Sequence, residues 1–288
     1  VKKITVTEEI AGNRLDKSIA SLFPEYSRSA IEKLIESNQI CVNKEPTKTK
    51  YLLKVGDVIE LDFNELDKEP EAIELPVIFE DENVIVVHKP LGVLAHTKGN
   101  FSKEGTVASF INSKLTGTDE WKSSNRAGIV HRLDRATSGV MICAKNEEAQ
   151  SFLGKQFSER NVKKTYAAII TGELSVPEGT IDVPIERNPK KPATFRAGVN
   201  GKAAQTTFAT IKSNQKHSLV ELKPYTGRTH QLRVHLNYLK HPIVGDEFYN
   251  GEKAERLMLH AHALEITIPG GIRKIFTAPL PEIFNTYF

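Results

Sequence analysis

Residues 64–74 run NELDKEPEAIE, an acidic stretch that holds a proline and almost no apolar side chains. Such a segment has little to bury and has the composition of a linker. It therefore splits the 288-residue chain into a small leading unit and a larger one, expected as domains 1–70 (with the linker) and 71–288. With 39% hydrophobic and 26% charged residues, the chain has enough apolar material for real cores and does not have the composition of a disordered protein.

In the small unit Leu15, Ile19 and Leu22 fall at i, i+4 and i+7, which predicts one apolar stripe of a short helix that Pro24 ends. Ser29-Ala30-Ile31-Glu32 has the form of a capping box. A second helix is expected from about Ser29 to Glu36, with Ile31, Leu34 and Ile35 on one face. Ile40 and Val42 alternate with polar neighbours as in a strand, Val55-Gly56-Asp57 marks a turn, and Val58–Leu61 is a closing strand. This pattern predicts a small α/β module.

The larger unit opens with a buried-type strand, Val84-Ile85-Val86-Val87, which leads into His88-Lys89-Pro90. Helices are expected over 106–115, over 146–160 with Ala149, Phe152, Leu153, Gln156 and Phe157 on one face, and from Thr229 to Leu239. Strands are expected over 162–171, 204–211, 218–223 and 257–268. Residues 128–134 and 139–144 are apolar runs flanking the polar turn 135–138, and 184–202 is a loop rich in Pro, Gly and Lys ahead of strands that close on an apolar tail. Strands outnumber helices and no regular βα alternation occurs. The expected fold class is α+β, a central mixed, largely antiparallel sheet flanked by helices.

No apolar run approaches the length of a bilayer span, and the opening Val1-Lys2-Lys3-Ile4 lacks the apolar stretch of a signal peptide, so no membrane partner is expected. The two cysteines, Cys41 and Cys143, have neither the number nor the spacing of a disulfide framework or a zinc site. The expected compartment is the cytoplasm, and the expected state is a monomer. A net charge of +3 hints only weakly at an anionic partner, but its distribution is uneven. Residues 122–164 hold nine Lys and Arg against four acids, and 187–202 hold Arg187, Lys190, Lys191, Arg196 and Lys202 with no acid. Clusters of this kind can neutralise phosphates; a solvated basic face is the other reading.

One segment concentrates chemistry: His131-Arg132-Leu133-Asp134-Arg135-Ala136-Thr137-Ser138-Gly139. A carboxylate sits among three cationic or potentially cationic groups, on a turn between two apolar runs. Nearby arginines favour the ionised carboxylate, as nucleophilic or electrostatic catalysis requires. Loops at the ends of buried strands are where such groups usually sit. A structural ion pair within the turn is the alternative.

This segment resembles the signature of the RluA-type pseudouridine synthases. Lys163-Lys164-Thr165-Tyr166 followed by AAIITG is similar to the family's second motif, and Gly227-Arg-Thr-His-Gln-Leu-Arg-Val-His235 to its third. VIVVHKPLGVLAH at 84–96, HPIVGD at 241–246 and LHAHAL at 259–264 are similar to further family blocks, in the family's order. Residues 14–43 and 55–61 resemble the S-four RNA-binding module first recognised in ribosomal proteins. Ten basic and ten acidic residues balance within the first 62, so net charge does not single that module out.

The resemblance implies an isomerase that cuts the bond between uracil N1 and ribose, turns the flipped-out base and rejoins it through carbon 5. It implies Asp134 as nucleophile, Arg233 as its buried cationic partner and Tyr166 as the aromatic face beneath the base. Arg132 would enter the space the uridine leaves, and Leu232, Arg228 and His131 would contact the substrate. RNA contacts are implied for Arg14, Lys17, Arg28 and Lys33 of the module, and for Arg187, Lys190, Lys191 and Arg196 of the basic loop. The expected partner is RNA, ribosomal RNA of the large subunit first, with a tRNA-directed enzyme as the alternative. No cofactor is expected, because the isomerisation conserves atoms and electrons and no GxGxxG fingerprint is present. Attack at carbon 6 of the base and attack at the anomeric carbon both remain open.

Two further readings compete. His260-Ala-His262, with His230 and His235, is the material a metal-dependent hydrolase would use, but HExxH and CxxC are lacking. A binding-only relative is the other, and the intact Asp134, Tyr166 and Arg233 argue against it.

Overall fold

A computed structural model of the chain describes residues 1–64, 71–97, 104–124 and 126–288. Two compact units result, Val1–Ala72 with Thr97–Gly105, and Ile73–His96 with Thr106–Phe288. Residues 65–70 of the expected linker lie outside the described residues.

In the first unit β1 (Lys2–Thr5), β2 (Ile40–Val42), β3 (Glu45–Pro46) and β4 (Val58–Leu61) form an antiparallel sheet in the order β1-β4-β2-β3. Helices α1 (Leu15–Leu22) and α2 (Arg28–Glu36) supply Leu15, Ile19, Ile31, Leu34 and Ile35 to its core, where they join Ile40, Ile59 and Leu61. Each fully buried Leu or Ile contributes about 1.5–3 kcal/mol over leaving it exposed. Two expectations are corrected. Leu22 is 45% exposed, because α1 has only two turns and its last residue passes the end of the core. The cap of α2 is Ser27, whose Oγ accepts from the Ala30 N–H at 3.3 Å; Ser29 is already inside the first turn, and Glu32 pairs with Arg28 at 3.2 Å.

The second unit is α+β. Its main sheet follows the order β5-β6-β7-β14-β8-β13-β12-β9, with β15 on β14. The strands are β5 (Val77–Glu80), β6 (Val84–Lys89), β7 (Ser138–Ala144), β8 (Lys163–Thr171), β9 (Glu178–Asp182), β12 (Gln205–Ser213), β13 (His217–Pro224), β14 (Leu259–Thr267) and β15 (Arg273–Thr277). Every pairing is antiparallel except that of β7 with β14. Helices α3 (Val107–Asn112), α4 (Asp119–Lys122), α5 (Glu147–Ser158) and α6 (Gln231–Tyr238) accompany the sheet. Caps explain where α3 and α5 begin: Thr106 and Ser109 form a capping box, and the Asn146 side chain accepts from the Ala149 N–H.

Three expectations change here. Residues 184–202 contain a two-stranded antiparallel hairpin, β10 (Ile185–Arg187) with β11 (Phe195–Ala197), anchored by the buried Ile185. Of the apolar run 128–134, only Ile129 bridges the sheet, at Cys143, so Asp134 ends an extended segment and not a strand. On α5, Ala149 and Leu153 are buried but Phe152 is 41% exposed. The edge strand β9 and the tail strand β15 were not legible as strands in the sequence.

The middle of this sheet positions the signature. Gly139 pairs with Ala261 where β7 runs parallel to β14, at φ 126, and a Cβ there would strike the Ala261 backbone. Only glycine allows that approach, and it fixes the turn that carries Asp134.

Candidate active site

Asp134 faces a hollow of about 660 Å³, counting the solvent at its mouth. Leu133, Thr137, Lys164, Tyr166, His230, Leu232 and Arg233 share its walls. The Asp134 carboxylate is 26% exposed, and among the described residues no hydrogen bond reaches it. Its nearest nitrogen donors are the Arg233 guanidinium (Nη1) and the His230 imidazole (Nε2), both 3.9 Å from Oδ2.

Arg233 and Asp134 therefore come together, as the motifs imply, but not as a tight pair. The tight partner of Arg233 is Asp246. Nε and Nη2 of the guanidinium donate to Asp246 Oδ2 and Oδ1, both at 2.7 Å, and both side chains are buried. Burial alone would depress the Arg233 pKa; the Asp246 hydrogen bonds and charge outweigh it and Asp134 adds to them, so the guanidinium stays charged. Its face lies 5.0 Å from the Tyr249 ring centroid and 5.4 Å from that of Phe248. Asp246 follows Gly245, whose φ is 79 and whose missing Cβ would collide with the Arg256 backbone. Asp246 holds the fork of Arg233 so that one edge remains for Asp134.

His230 caps α6 in a left-handed conformation, φ 57 and ψ 19, which costs a non-glycine residue roughly 1–2 kcal/mol. The strain aims the ring: Nδ1 is 2.8 Å from the Tyr249 hydroxyl while Nε2 faces Asp134. Burial lowers the His230 pKa against the pull of Asp134, so the ring is neutral at pH 7. The Tyr249 hydroxyl also accepts from the Phe195 N–H at 2.9 Å, which ties the basic hairpin to this wall.

Tyr166 stands on β8 between Ala261 and Leu222 of the neighbouring strands. Burial, reinforced by the Asp134 charge, raises its pKa, so the phenol keeps its proton. Leu232 is buried on the same wall, and Arg132 and Arg228 stand at the rim. His131 is not on this wall. Its Nε2 accepts from the Ile142 N–H at 3.0 Å, its ring stacks on Phe157 at 4.6 Å, and burial lowers its pKa to about 3. It braces β7 and borders a neighbouring hollow.

Lys89 lies beneath the turn, fully buried at the end of β6. Its Nζ donates to the carbonyls of Val93 at 2.8 Å, Pro90 at 3.0 Å and Arg135 at 3.5 Å, and Gly92 N–H donates to Arg135 O at 2.9 Å. Burial pulls the Lys89 pKa down to about 7 against the attraction of Asp134. Gln231 pins the third motif: its Oε1 accepts from Thr226 Oγ1 (2.7 Å) and Arg228 N–H (3.0 Å), and its Nε2 donates to Gln205 O and Thr206 Oγ1, both 2.9 Å.

Lys89, Asp246 and Lys164 lie in blocks that resemble the family, yet spacing assigned them no role; His230 entered only as a ligand candidate for the hydrolase reading, and Tyr249 has no such signal. Among the described residues no group of three His, Cys, Asp or Glu side chains could hold a metal ion. His260 Nδ1 meets Ser138 Oγ at 2.8 Å, His262 Nδ1 meets Ala278 O at 2.9 Å, and His235 lies between Thr206 Oγ1 and Val183 O.

The remaining sequence candidates are scattered. Arg14 and Arg28 both grip Asp16 of the first unit, while Lys17 and Lys33 are exposed on α1 and α2. On the hairpin, Lys190 and Lys191 are exposed, Arg196 pairs with Glu186 at 2.7 Å, and Arg187 donates to Pro192 O at 2.7 Å and covers Phe195.

The family model described as RNA pseudouridylate synthase matches residues 83–238, and that of the S4 domain matches 13–59. The chain belongs to the RNA pseudouridylate synthase family, whose members are isomerases. It is 34% identical to ribosomal large subunit pseudouridine synthase D of Nitrosomonas europaea over 97% of this chain and 85% of that one. It is 35% identical to the uncharacterized RNA pseudouridine synthase YlyB of Bacillus subtilis, over 97% of this chain and 94% of that one. The solved structure of human RNA pseudouridylate synthase domain containing 1 is similar at 28% identity and a TM-score of 0.61, covering 77% of this chain and 89% of that one. Membership of this family removes the metal-dependent hydrolase from consideration.

Proposed function

We propose that this chain isomerises one or a few uridines of large-subunit ribosomal RNA, with Asp134 as nucleophile on a base everted into the hollow. The single observation that carries this reading is the geometry of Asp134. Its carboxylate accepts no hydrogen bond from the described residues, opens onto a hollow walled by Tyr166 and Leu232, and has a buried guanidinium 3.9 Å away. A carboxylate whose lone pairs are saturated is a poor nucleophile; one stabilised from a distance keeps its charge and its reactivity.

In this reading the charged Arg233 faces Asp134 and offsets the charge that shifts as the carboxylate bonds to carbon 6 or to the anomeric carbon. Asp246 orients Arg233, and His230 steadies the other side. The Tyr166 ring lies beneath the uracil, and once the base has rejoined through carbon 5 its hydroxyl can relay the proton that carbon 5 loses, taking it up as it gives its own to solvent, while N1 gains one in exchange. Leu232 closes the apolar side, and Arg132 occupies the gap in the RNA stack. Lys89 positions the turn through the Arg135 carbonyl. Arg187, Lys190, Lys191 and Arg196 of the hairpin, and Arg14, Lys17, Arg28 and Lys33 of the S4 domain, contact RNA phosphates. The ribosomal target follows the names of the large-subunit relatives. No helix among the described residues is long and apolar enough to cross a membrane; the working form in this reading is a cytoplasmic monomer.

Pseudouridine mapping across ribosomal and transfer RNA, in cells lacking the chain, tests this. The expected result is loss of one or a few large-subunit sites, restored by the wild-type chain and not by Asp134→Asn. Loss confined to tRNA would redirect the target; restoration by Asp134→Asn would remove the nucleophile.

A further inference from the structure

Beside the Asp134 hollow lies a second one, of about 1050 Å³ with the solvent at its mouth. Arg132, Arg160, Lys164, Tyr225 and Arg228 are among its walls, and Arg132, Lys164, Tyr166 and Arg228 are common to both hollows. A chain entering one is therefore led to the other.

Four cations border this space, and among the described residues none of the four lies within ion-pair distance of a carboxylate. Lys164 Nζ reaches only the Thr226 carbonyl, at 3.4 Å; Arg228 Nε donates to the Ala203 carbonyl at 3.1 Å; and the Arg160 guanidinium lies over the Tyr225 ring at 5.0 Å. Elsewhere in the same unit the pattern differs: Lys145 meets Glu80, Arg196 meets Glu186 and Arg273 meets Glu265, all within 3 Å. Like charges brought together without acids repel, and an entering anion relieves that repulsion. Burial and the nearby Arg160 both lower the Lys164 pKa, the mark of a cation short of counter-charge. Arg160 also follows α5 at φ 61, a position where glycine or asparagine is the usual choice, yet it carries a long charged side chain. Tyr225, 55% exposed, offers a flat face next to these charges.

We propose that the second hollow binds a nucleotide adjacent to the reacting uridine in the same RNA strand. Arg160, Lys164 and Arg228 take its phosphodiester, Arg132 stays at the gap between the two hollows, and the base stacks on the Tyr225–Arg160 pair. Aromatic faces accept any base, so this subsite grips the strand without reading its sequence. The inference rests on the reading of the Asp134 hollow as the uridine site.

The test uses the full chain and a fluorescently labelled stem-loop RNA containing uridine, with binding followed over a range of salt and turnover measured separately at saturating RNA. Arg160→Ala and Tyr225→Ala are each expected to weaken RNA binding about tenfold. Single-turnover rates at saturation should change less than about twofold, since neither side chain touches the reacting base. The slope of log affinity against log salt should fall by about 0.7 in Arg160→Ala, stay unchanged in Tyr225→Ala, and be kept in Arg160→Lys. Lys155→Ala, an exposed charge loss on α5, is the control and should bind as wild type. Both target residues are exposed, and unaltered thermal midpoints verify folding. Wild-type affinity and slope in Arg160→Ala and Tyr225→Ala would overturn the subsite. RNA that binds but is never isomerised by the wild-type chain would overturn the uridine reading instead, and the binding arm would still judge the subsite.

Discussion

The tripeptide Arg-Leu-Asp occurs in both units, at 14–16 and at 132–134, and the two aspartates have opposite fates. Asp16 is fully buried and receives hydrogen bonds from Arg14 (3.0 and 2.8 Å) and Arg28 (3.0 and 2.6 Å). Burial alone would raise its pKa; the two arginines together outweigh that and hold it at about 2. Asp134 accepts no hydrogen bond from the described residues and keeps its guanidinium neighbour at 3.9 Å, because Asp246 claims the fork of Arg233. An acid among arginines is thus structural when its lone pairs are filled. It is available for chemistry when a second acid takes the close contact and a hollow lies in front of it.

The largest effect expected from this contrast is on turnover. Asp134→Asn should lower turnover by about 10⁴-fold or more while leaving the thermal midpoint near wild type. Asp16→Asn should do the reverse, with turnover at saturating RNA retained and faster amide exchange over α1 and α2. If the two substitutions behaved alike, the contrast would be broken.

Next come the residues around Arg233. Arg233→Ala leaves Asp246 buried and unpaired, and should cost about 3–5 kcal/mol of stability as well as turnover. Asp246→Asn keeps the shape but loosens the aim of the guanidinium, so turnover should fall about 100-fold, read from single-turnover rates. A near-normal Asp246→Asn enzyme would mean that Arg233 needs no orienting partner.

The pH dependence of unfolding separates the buried charges of the two units. Asp16 is depressed from 3.8 to about 2, so its contribution is present above pH 4 and lost as pH falls through 2; Asp16→Asn should flatten that acid limb. Lys89 is depressed from 10.5 to about 7, so the unfolded chain binds the extra proton between these values. Stability should therefore rise with pH from 7 to 10.5, at a slope no steeper than about 1.4 kcal/mol per pH unit, and Lys89→Met should remove the rise. Denaturant midpoints at each pH measure both. The smallest effect is expected for Tyr166→Phe, which keeps the ring and loses the hydroxyl. Turnover within about tenfold of wild type would assign the residue to stacking, and a larger loss would assign the hydroxyl to proton transfer at carbon 5.

Much of the fold was legible because periodicity reports on one face at a time. Ile31, Leu34 and Ile35 marked α2, Val84–Val87 marked a buried-type strand, and Ala149 with Leu153 marked α5, all of them buried. Misreadings came where the pattern runs past its neighbour or where tertiary partners replace periodicity. Leu22 and Phe152 continue an apolar stripe beyond the core that would cover it. The hairpin at 185–197 has few apolar residues of its own and is held by Phe195 N–H on Tyr249 and by the buried Ile185. The strand β15 has a single buried residue, Phe276, and exists through its pairing with β14.

The order of the residues alone determined that the chain has two cores, that charge and a carboxylate gather at 131–139, and which three motifs belong together. Those properties depend on composition and on resemblance along the chain. Tertiary structure alone decided that Asp246, over a hundred residues beyond Asp134, takes the close face of Arg233, that His131 props a strand while His230 faces the acid, and that the cations at 132, 160, 164 and 228 meet around one space without an acid among them. Such pairings are set by which backbones approach one another across the sheet, and neither hydrophobic period nor charge count along one chain carries that information.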